Sequence, residues 1–122
     1  MRHRRLLAAT ALVAIGTGLH GSAMAQSPDV RSANYMLPGC RELVQNPGVG
    51  DRIFFQGLCM GVVGSVAVFG KQGQIGVCVP PGVQPQQSVR VVVAYIDSRP
   101  ARMHEDFYNL AVEALREAWP CR

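Results

Sequence analysis

Four cysteines constrain this chain more than any other feature. They lie at Cys40, Cys59, Cys78 and Cys121, with no two close enough in sequence to form a zinc knuckle or a redox C-x-x-C motif. An even number of widely spaced cysteines is typical of disulfides in an exported domain. We therefore predict two disulfides, and neither a metal site nor a cofactor.

The N-terminal residues follow the pattern of a secretory signal peptide. Residues 1–5 are basic, Leu6 to Leu19 is largely apolar, and Ala23-Met24-Ala25 forms an A-x-A cleavage site. An uncleaved membrane anchor is the alternative, but the apolar stretch is short for a bilayer crossing. No lipobox cysteine follows the stretch, which argues against a lipoprotein. We predict cleavage after Ala25, a periplasmic location and no membrane contact afterwards.

Cleavage would change the charge of the chain. It would remove three of the twelve basic residues and none of the eight acidic ones, which leaves a net charge of +1. So weak a field does not suit binding to nucleic acid or anionic lipid. The remaining 97 residues are enough for one modest core that disulfides help to stabilise. We divide the chain into a signal peptide (1–25), a flexible leader (26–32) and one helical domain (33–122).

Hydrophobic periodicity predicts an all-α fold of four helices. The first spans Ala33 to Gln45 and either kinks or begins at Pro38-Gly39, because proline disrupts a helix interior. The third spans Gln84 to Asp97, although Val91-Val92-Val93 alone would favour a strand. The fourth spans Pro100 to Trp119 and has a continuous apolar stripe on one side.

The second helix is the most apolar segment of the domain. We place it between Asp51 as N-cap and Gly70 as C-terminal glycine, with no charge from Ile53 to Phe69. A pair of buried strands is the alternative. A helix that is apolar all round is buried in a bundle or in a dimer. Three glycines close to one face would let another helix approach: Gly57, Gly61 and Gly64.

The sequence contains no recognisable catalytic constellation. Beyond residue 25 it keeps a single histidine, His104, whose acidic neighbours at i+1 and i+2 do not face it on a helix. The serines have no partners that form a triad. The glycines of the second helix lack the strand and lysine of a phosphate-binding loop. We predict a protein that is not an enzyme.

Four cysteines allow three disulfide connectivities. In an up-down bundle, Cys40 and Cys59 face each other across the turn centred on Gly48. The third and fourth helices then return Cys121 to the end of the bundle where Cys78 lies. We predict the pairs Cys40–Cys59 and Cys78–Cys121.

A set of short motifs runs through the whole domain. It comprises Cys40, Cys59-Met60-Gly61, Cys78-Val79-Pro80, Gln86-Gln87, Val92-Val93-Ala94-Tyr95-Ile96, Pro100, His104, Ala111, Ala114-Leu115 and Pro120-Cys121. Together these motifs, over roughly residues 33 to 122, resemble the Rap/Tai family of immunity proteins of bacterial type VI secretion. The chain departs from the family pattern at Pro38-Gly39 and at Phe107-Tyr108.

The resemblance implies a periplasmic all-α domain, usually a homodimer. It implies that the partner is a peptidoglycan-cutting amidase, inhibited by protein contact at its active-site cleft. The alternative is an orphan periplasmic helical envelope or stress protein, such as an acid-activated chaperone. Eight acidic residues are few for a chaperone of that kind.

The irregular loop Gly70 to Gln87 is our candidate for the contact with the amidase. Its glycines and prolines interrupt any helix, and Cys78 pins it, which lowers the entropy lost on binding. The candidate contact residues are Gln72, Gln74 and Gln84, followed by Arg99, Arg102 and His104 at the start of the last helix. Arg102 is also expected to form an i, i+4 ion pair with Asp106. A loop that merely closes the bundle is the alternative.

The signal peptide generates the first prediction. The periplasmic product should begin at Gln26, with or without cyclisation to pyroglutamate, because cleavage follows the A-x-A site. Intact-mass measurement of protein purified from the periplasm checks this. A product that retains Met1 would rule the prediction out.

Overall fold

The computed structural model describes residues 25–72 and 74–122. Its helices are α1 (Ala33–Gln45), α2 (Ile53–Phe69), α3 (Pro85–Asp97) and α4 (Phe107–Ala118), with a 3-10 turn at Pro100–Arg102 before α4. Within these ranges, extended pairing is limited to two isolated bridges, Ser32 with Asp106 and Val77 with Pro120. The predicted all-α, four-helix class is confirmed. The predicted signal peptide lies outside the described residues except for Ala25.

One hydrophobic core lies between the four helices. Helix α1 packs against α2, and α3 packs against both α2 and α4. The core is built mainly from medium-sized aliphatic side chains, with Phe107 as its largest fully buried member. Other fully buried side chains are Leu37, Val63, Val66, Val77, Val89, Val92, Ile96, Leu110 and Leu115.

Two disulfides tie this architecture together. Cys40 of α1 is bonded to Cys59 of α2, and Cys78 is bonded to Cys121 beyond α4. These are the pairs expected from an up-down bundle. For loops of these lengths, the chain-entropy treatment gives stabilisation of about 3 and about 4 kcal/mol.

Helix α1 has the predicted bounds and continues through Pro38. Proline has no N–H, so the helix lacks one hydrogen bond at this point. The neighbours Leu37, Gly39 and Cys40 are all buried. Their packing against the core offsets the lost hydrogen bond, and the helix neither begins nor ends at Pro38.

The first turn of α1 is capped by backbone from a distant segment. Ser32 occupies the N-cap position but makes no side-chain cap. Instead, the N–H of Ala33 donates to the carbonyl of Glu105 at 2.9 Å, and that of Asn34 to the carbonyl of Met103 at 2.7 Å. Two of the free N–H groups of a helix N-terminus are thereby satisfied, and the leader side of α1 is joined to the segment before α4.

The start of α2 differs from the prediction, because its N-cap is Arg52 and not Asp51. No side chain caps this end of the helix; the buried side chain of Gln56 holds the preceding turn instead. Its amide oxygen accepts from the N–H of Gly48 at 2.8 Å, and its NH₂ donates to the carbonyl of Val49 at 2.7 Å. Gln56 therefore fixes the α1–α2 turn from inside the core.

Gly70 directly follows α2, as expected for its C-terminal glycine, but for a different reason. Its φ is −58°, so a left-handed conformation does not require glycine here. A Cβ at this position would lie 2.6 Å from the Cβ of Val77. Glycine is needed because the buried Val77 packs directly against the end of the helix.

The predicted start of the last helix was wrong: α4 begins at Phe107, not at Pro100. Asp106 occupies the N-cap position, and its carboxylate accepts from the N–H of Asn109 at 3.1 Å. A side-chain cap of this kind fixes where a helix begins. Pro100 starts only the short 3-10 turn.

The contact between α1 and α2 generates a stability prediction. A Cβ at Gly39 would lie 2.5 Å from the Cβ and 2.7 Å from the carbonyl carbon of Phe55. Gly39→Ala should therefore lower the free energy of unfolding by about 1–3 kcal/mol, the usual cost of overpacking. Urea unfolding of dilute protein measures this loss.

Gly57→Ala is the matched control, because nothing lies within 4 Å of a Cβ at Gly57. Alanine there should stabilise the helix by up to about 1 kcal/mol. Equal midpoints for the two variants would show that α1 does not approach α2 as described.

Candidate functional site

The loop between α2 and α3 is fastened at its middle. Val77 is fully buried and pairs with Pro120. The N–H of Cys78 donates to the carbonyl of Trp119 at 2.8 Å, and the N–H of Cys121 donates to the carbonyl of Gly76 at 3.3 Å. With the Cys78–Cys121 disulfide, these bonds anchor the loop to the end of α4.

All three candidate glutamines lie on the exposed parts of this loop. Gln72 and Gln74 precede the anchored middle, and Gln84 immediately precedes α3. Gln74 has a φ of 59°, the left-handed region that glycine usually occupies. Gln84 is at the N-cap position of α3 but makes no side-chain cap. The glutamine side chains are therefore exposed on either side of a segment that is anchored at Val77 and Cys78.

Arg102 is the centre of a charged cluster between α3 and α4. Its guanidinium donates to both carboxylate oxygens of Glu105, at 2.8 and 2.7 Å, and to both oxygens of Glu113, at 2.6 and 3.0 Å. It also donates to the hydroxyl of Tyr95 at 3.2 Å. The expected pair with Asp106 was wrong, because the helix that would place those residues one turn apart does not form there. Asp106 instead pairs with Arg31 at 2.6 Å.

Arg99 lies in the same cluster, on the other side of Tyr95. Its guanidinium carbon is 3.7 Å from the centre of the Tyr95 ring, a cation–π geometry. It also donates to the carbonyl of Tyr95 at 3.0 Å and lies 3.4 Å from a carboxylate oxygen of Glu117. Arg99 and Arg102 are thus brought together by one aromatic side chain.

The cluster shifts the acidities of its members. Hydrogen bonds from Arg102 lower the pKa of Glu105, and the same arginine, followed by Tyr95, lowers the pKa of Glu113. Burial, and then the neighbouring Glu113, raises the pKa of Tyr95. The two carboxylates raise the pKa of Arg102. At neutral pH these shifts favour ionised Glu105, Glu113 and Arg102 and a neutral Tyr95 hydroxyl.

Asp106 joins the cluster region to the leader. Burial opposes its ionisation, but the N–H of Asn109 and the guanidinium of Arg31 outweigh burial and lower its pKa. The N–H of Phe107 also donates to the carbonyl of Arg31 at 2.8 Å. The last residues of the predicted flexible leader are therefore held against the start of α4, and Ser32 is buried.

His104 points to a different surface. It is exposed and lines an open groove of about 360 Å³ beside the leader and the start of α1. The groove is shared with Pro28, Asp29, Ser32, Asn34 and Tyr35. His104 lies in the turn that follows the 3-10 segment and not on the last helix. Arg99 and Arg102 also precede that helix, so the predicted positions of all three residues were wrong.

A second groove of about 370 Å³ connects the loop to the charged cluster along α4. It reaches from Ile75 of the loop to Glu105 and Glu113, the two partners of Arg102. At the loop end, Arg116 donates to the carbonyl of Ile75 at 2.8 Å. The anchored base of the loop and the charged cluster thus lie at the ends of one surface depression.

Tyr95 and Glu113, which organise the cluster, are not among the site residues predicted from the sequence. For Tyr95 a signal was available, because Tyr95, Arg99 and Arg102 are spaced by four and three residues, as on one helical face. Pro100, which lies between the two arginines, interrupts that helical spacing. The 3-10 turn at Pro100 nonetheless keeps Arg99 and Arg102 on the same side.

An exposed apolar surface on α2 is the other feature of note. Only Gln56, Cys59, Val63 and Val66 of this helix are buried. On the opposite side, a shallow groove of about 520 Å³ is lined by Ile53, Phe54, Gly57, Leu58, Gly61 and Val62. Phe54 is 69% exposed. The helix that we expected to be buried all round is buried on one face within the subunit.

Two further observations concern the described ranges. Within residues 25–72 and 74–122, no group of three or more His, Cys, Asp and Glu side chains is placed to hold a metal ion. In the same residues, no helix is both long and apolar enough to cross a bilayer. The two disulfides fit a protein exported to an oxidising compartment.

Comparison with known protein families identifies the chain. Residues 32–121 match the family of Rap1a immunity proteins. The chain belongs to this family. The matched segment starts at the buried Ser32 and ends at Cys121, so it includes all four helices and both disulfides of the Rap1a-type domain. Membership of an immunity family implies that the partner is a toxin effector. Neither the curated proteins nor the solved structures that were searched gave a significant match.

The charged cluster generates a prediction about pH. Because the pKa values of Glu105 and Glu113 are lowered in the folded state, their pairing with Arg102 stabilises the fold above the unfolded glutamate pKa of about 4.3. That contribution is lost as the pH falls through the folded-state values. Arg102→Met should be destabilising near pH 7, and its difference from wild type should shrink towards pH 3. Urea midpoints measured across this range check the trend.

Arg41→Met provides a control for the loss of one arginine. It removes an exposed ion pair with Asp97, and exposed pairs contribute little to stability. Its effect near pH 7 should be smaller than that of Arg102→Met. A constant difference between Arg102→Met and wild type at every pH would contradict the role of the two carboxylates.

Proposed function

We propose that the mature chain is a periplasmic immunity protein that inhibits a peptidoglycan amidase delivered by type VI secretion. The observation that carries the proposal is the match to Rap1a immunity proteins over residues 32–121. The amidase and the secretion route rest on the motif resemblance to Rap/Tai immunity proteins. The A-x-A site and the two disulfides support the periplasmic location.

Inhibition works by occluding the active site, and the inhibitor needs no catalytic group of its own. Occlusion requires a surface of fixed shape with hydrogen-bonding groups, because ordering a mobile loop on binding weakens affinity. Two features of the loop between α2 and α3 support this role: it is anchored at Val77 and Cys78, and it presents exposed amide side chains.

Gln72, Gln74 and Gln84 are therefore the contact residues that we propose first. Arg99 and His104 are second choices. Arg102 is given a structural role instead, because each nitrogen of its guanidinium already donates to Glu105, Glu113 or Tyr95. It holds these neighbouring side chains in place. The amides carry no net charge, so we expect association to depend only slightly on salt.

Periplasmic co-expression with candidate amidase effectors tests the function. The wild-type protein should prevent lysis by one of them, and the triple variant Gln72→Ala, Gln74→Ala, Gln84→Ala should protect less while keeping its urea midpoint. A double variant at exposed positions on α1 and α3, Gln45→Ala and Arg90→Ala, serves as the control and should protect as wild type.

Failure of the wild type to bind or protect against every amidase encoded nearby would contradict the proposal. The orphan envelope or stress protein would then be favoured, and the exposed apolar face of α2 is the feature that such a chaperone-like protein would use. Protection with no loss in the glutamine variant would keep the function but move the contact away from the loop.

We further propose that the protein is a homodimer formed through the exposed face of α2. A Cβ added at Gly57 or Gly61 would have nothing within 4 Å of it, so packing inside the subunit does not require glycine there. Each glycine costs the helix up to about 1 kcal/mol relative to alanine. In the dimer, the groove on α2 of one subunit packs against the same groove of the other subunit. Helix α2 carries no charge from Ile53 to Phe69, so the two helices would not repel each other.

Gly61→Arg tests the dimer without threatening the fold of the subunit. Arginine has the better helix propensity by about 1 kcal/mol, and the position is open. Light scattering at tens of micromolar should show a dimer for wild type and a monomer for Gly61→Arg. Ala94→Arg on the exposed side of α3 should remain dimeric. A monomeric wild type would contradict the proposal.

A further inference from the structure

The two disulfides differ sharply in their surroundings. Cys40 and Cys59 are both fully buried in the core, where α1 and α2 meet. Cys78 is half-buried, and Cys121, which lies beyond the end of α4, is exposed. Thiol–disulfide exchange requires an attacking thiolate to reach a sulfur atom. The second disulfide is therefore open to exchange under conditions in which the first is shielded.

The openings needed to expose the two disulfides are also unequal. To expose Cys40–Cys59, helices α1 and α2 must separate, which breaks the contact of Gly39 with Phe55 and opens the core. Cys78–Cys121 lies outside the helices, between the α2–α3 loop and the segment that follows α4. Two backbone hydrogen bonds flank it, from the N–H of Cys78 to the carbonyl of Trp119 and from the N–H of Cys121 to the carbonyl of Gly76. Local opening of segments outside the helices costs far less than opening a core.

Charge near the exposed disulfide favours an anionic attacker. Arg122 follows Cys121 directly in the chain. Arg116 is fastened to the carbonyl of Ile75 and lies next to Gly76, the residue whose carbonyl accepts from Cys121. Glu117, the acidic residue next to Arg116 on α4, pairs with Arg99. Two arginines therefore accompany this disulfide, one beside Cys121 in the sequence and one against Gly76.

We propose that Cys121 is a site of covalent exchange with external thiols, at which a dithiol opens the Cys78–Cys121 disulfide while Cys40–Cys59 stays intact. The attacking thiolate forms a bond to the sulfur of Cys121, and Cys78 leaves as a thiolate that takes a proton from water. The second thiol of the reagent then attacks the mixed disulfide and releases Cys121. The dithiol loses two electrons and becomes a disulfide, and the protein gains two thiols.

Exchange at this site loosens the loop without unfolding the domain. Val77 remains fully buried after the disulfide opens, and Cys40–Cys59 still joins α1 to α2. The parts of the loop on either side of Val77 lose their covalent tether. If the loop contacts the toxin, which rests on the proposed function, the reduced form binds more weakly, because more of the loop must be ordered on binding.

Timed reduction of the oxidised mature protein tests the proposal. The protein is incubated with dithiothreitol under native conditions, quenched with iodoacetamide at intervals and mapped by mass spectrometry. Cys78 and Cys121 should be alkylated about tenfold faster than Cys40 and Cys59, or more. The reason is that the buried Cys40–Cys59 disulfide can be reduced only after the core opens. With glutathione as a monothiol, the adduct should be found on Cys121. Equal rates for the two pairs, faster opening of Cys40–Cys59, or an adduct confined to Cys78 would overturn the proposal.

A matched variant separates exchange from unfolding. Cys78→Ser with Cys121→Ser should keep the helical circular dichroism of wild type and show faster hydrogen exchange in residues 74–84. When this variant is treated with dithiothreitol and quenched with iodoacetamide, Cys40 and Cys59 should be alkylated as slowly as in the wild type. Loss of helicity in this variant, or fast alkylation of Cys40 and Cys59, would show that the core needs the Cys78–Cys121 disulfide to stay folded. Either result would refute the proposal that this disulfide can open without unfolding the domain. These measurements need no toxin, so their outcome does not depend on whether the protein has the proposed immunity function.

Discussion

The close approach of α1 to α2 is the constraint on which the other features depend. At Gly39 the two helices are so near that a Cβ would overlap the backbone of Phe55. The next residue, Cys40, is bonded to Cys59 one turn further along α2. Because this contact uses the stripe of Cys59, Val63 and Val66, the other side of α2 is left facing outwards. A helix with almost no polar side chains is thereby half-buried in the subunit.

Local sequence signals predicted the elements but not their long-range capping. The bounds of α1 and α3 follow from apolar periodicity, and the disulfide pairs follow from the up-down order of the helices. The first turn of α1, however, is capped by the carbonyls of Met103 and Glu105, some seventy residues away. From the sequence, we predicted that the last helix starts at Pro100 and not after a cap at Asp106. Proline is a strong local signal for a helix start, whereas many aspartates that could cap a helix do not do so.

The candidate site could be predicted only as far as exposure and local spacing allow. Gln72, Gln74 and Gln84 lie in an irregular loop and are exposed, as their surroundings in the sequence indicate. The partners of Arg102 could not be found by assuming a continuous helix, because Glu113 reaches it across the α4 surface and Tyr95 reaches it from α3. A binding interface is a property of two molecules, and one sequence carries only half of it.

The backbone at Gln74 gives a physical reason to regard the loop as more than a connection. A non-glycine residue in the left-handed region carries a cost on the order of 1 kcal/mol, and Gln74 has a φ of 59°. Among the described residues of the same loop, Gly76 and Gly82 also have positive φ angles, without that cost. A loop that only joined α2 to α3 would gain stability from glycine at position 74 as well. The exposed amide side chain at this position, beside a segment anchored by Val77 and Cys78, fits the recognition role that we propose for the loop.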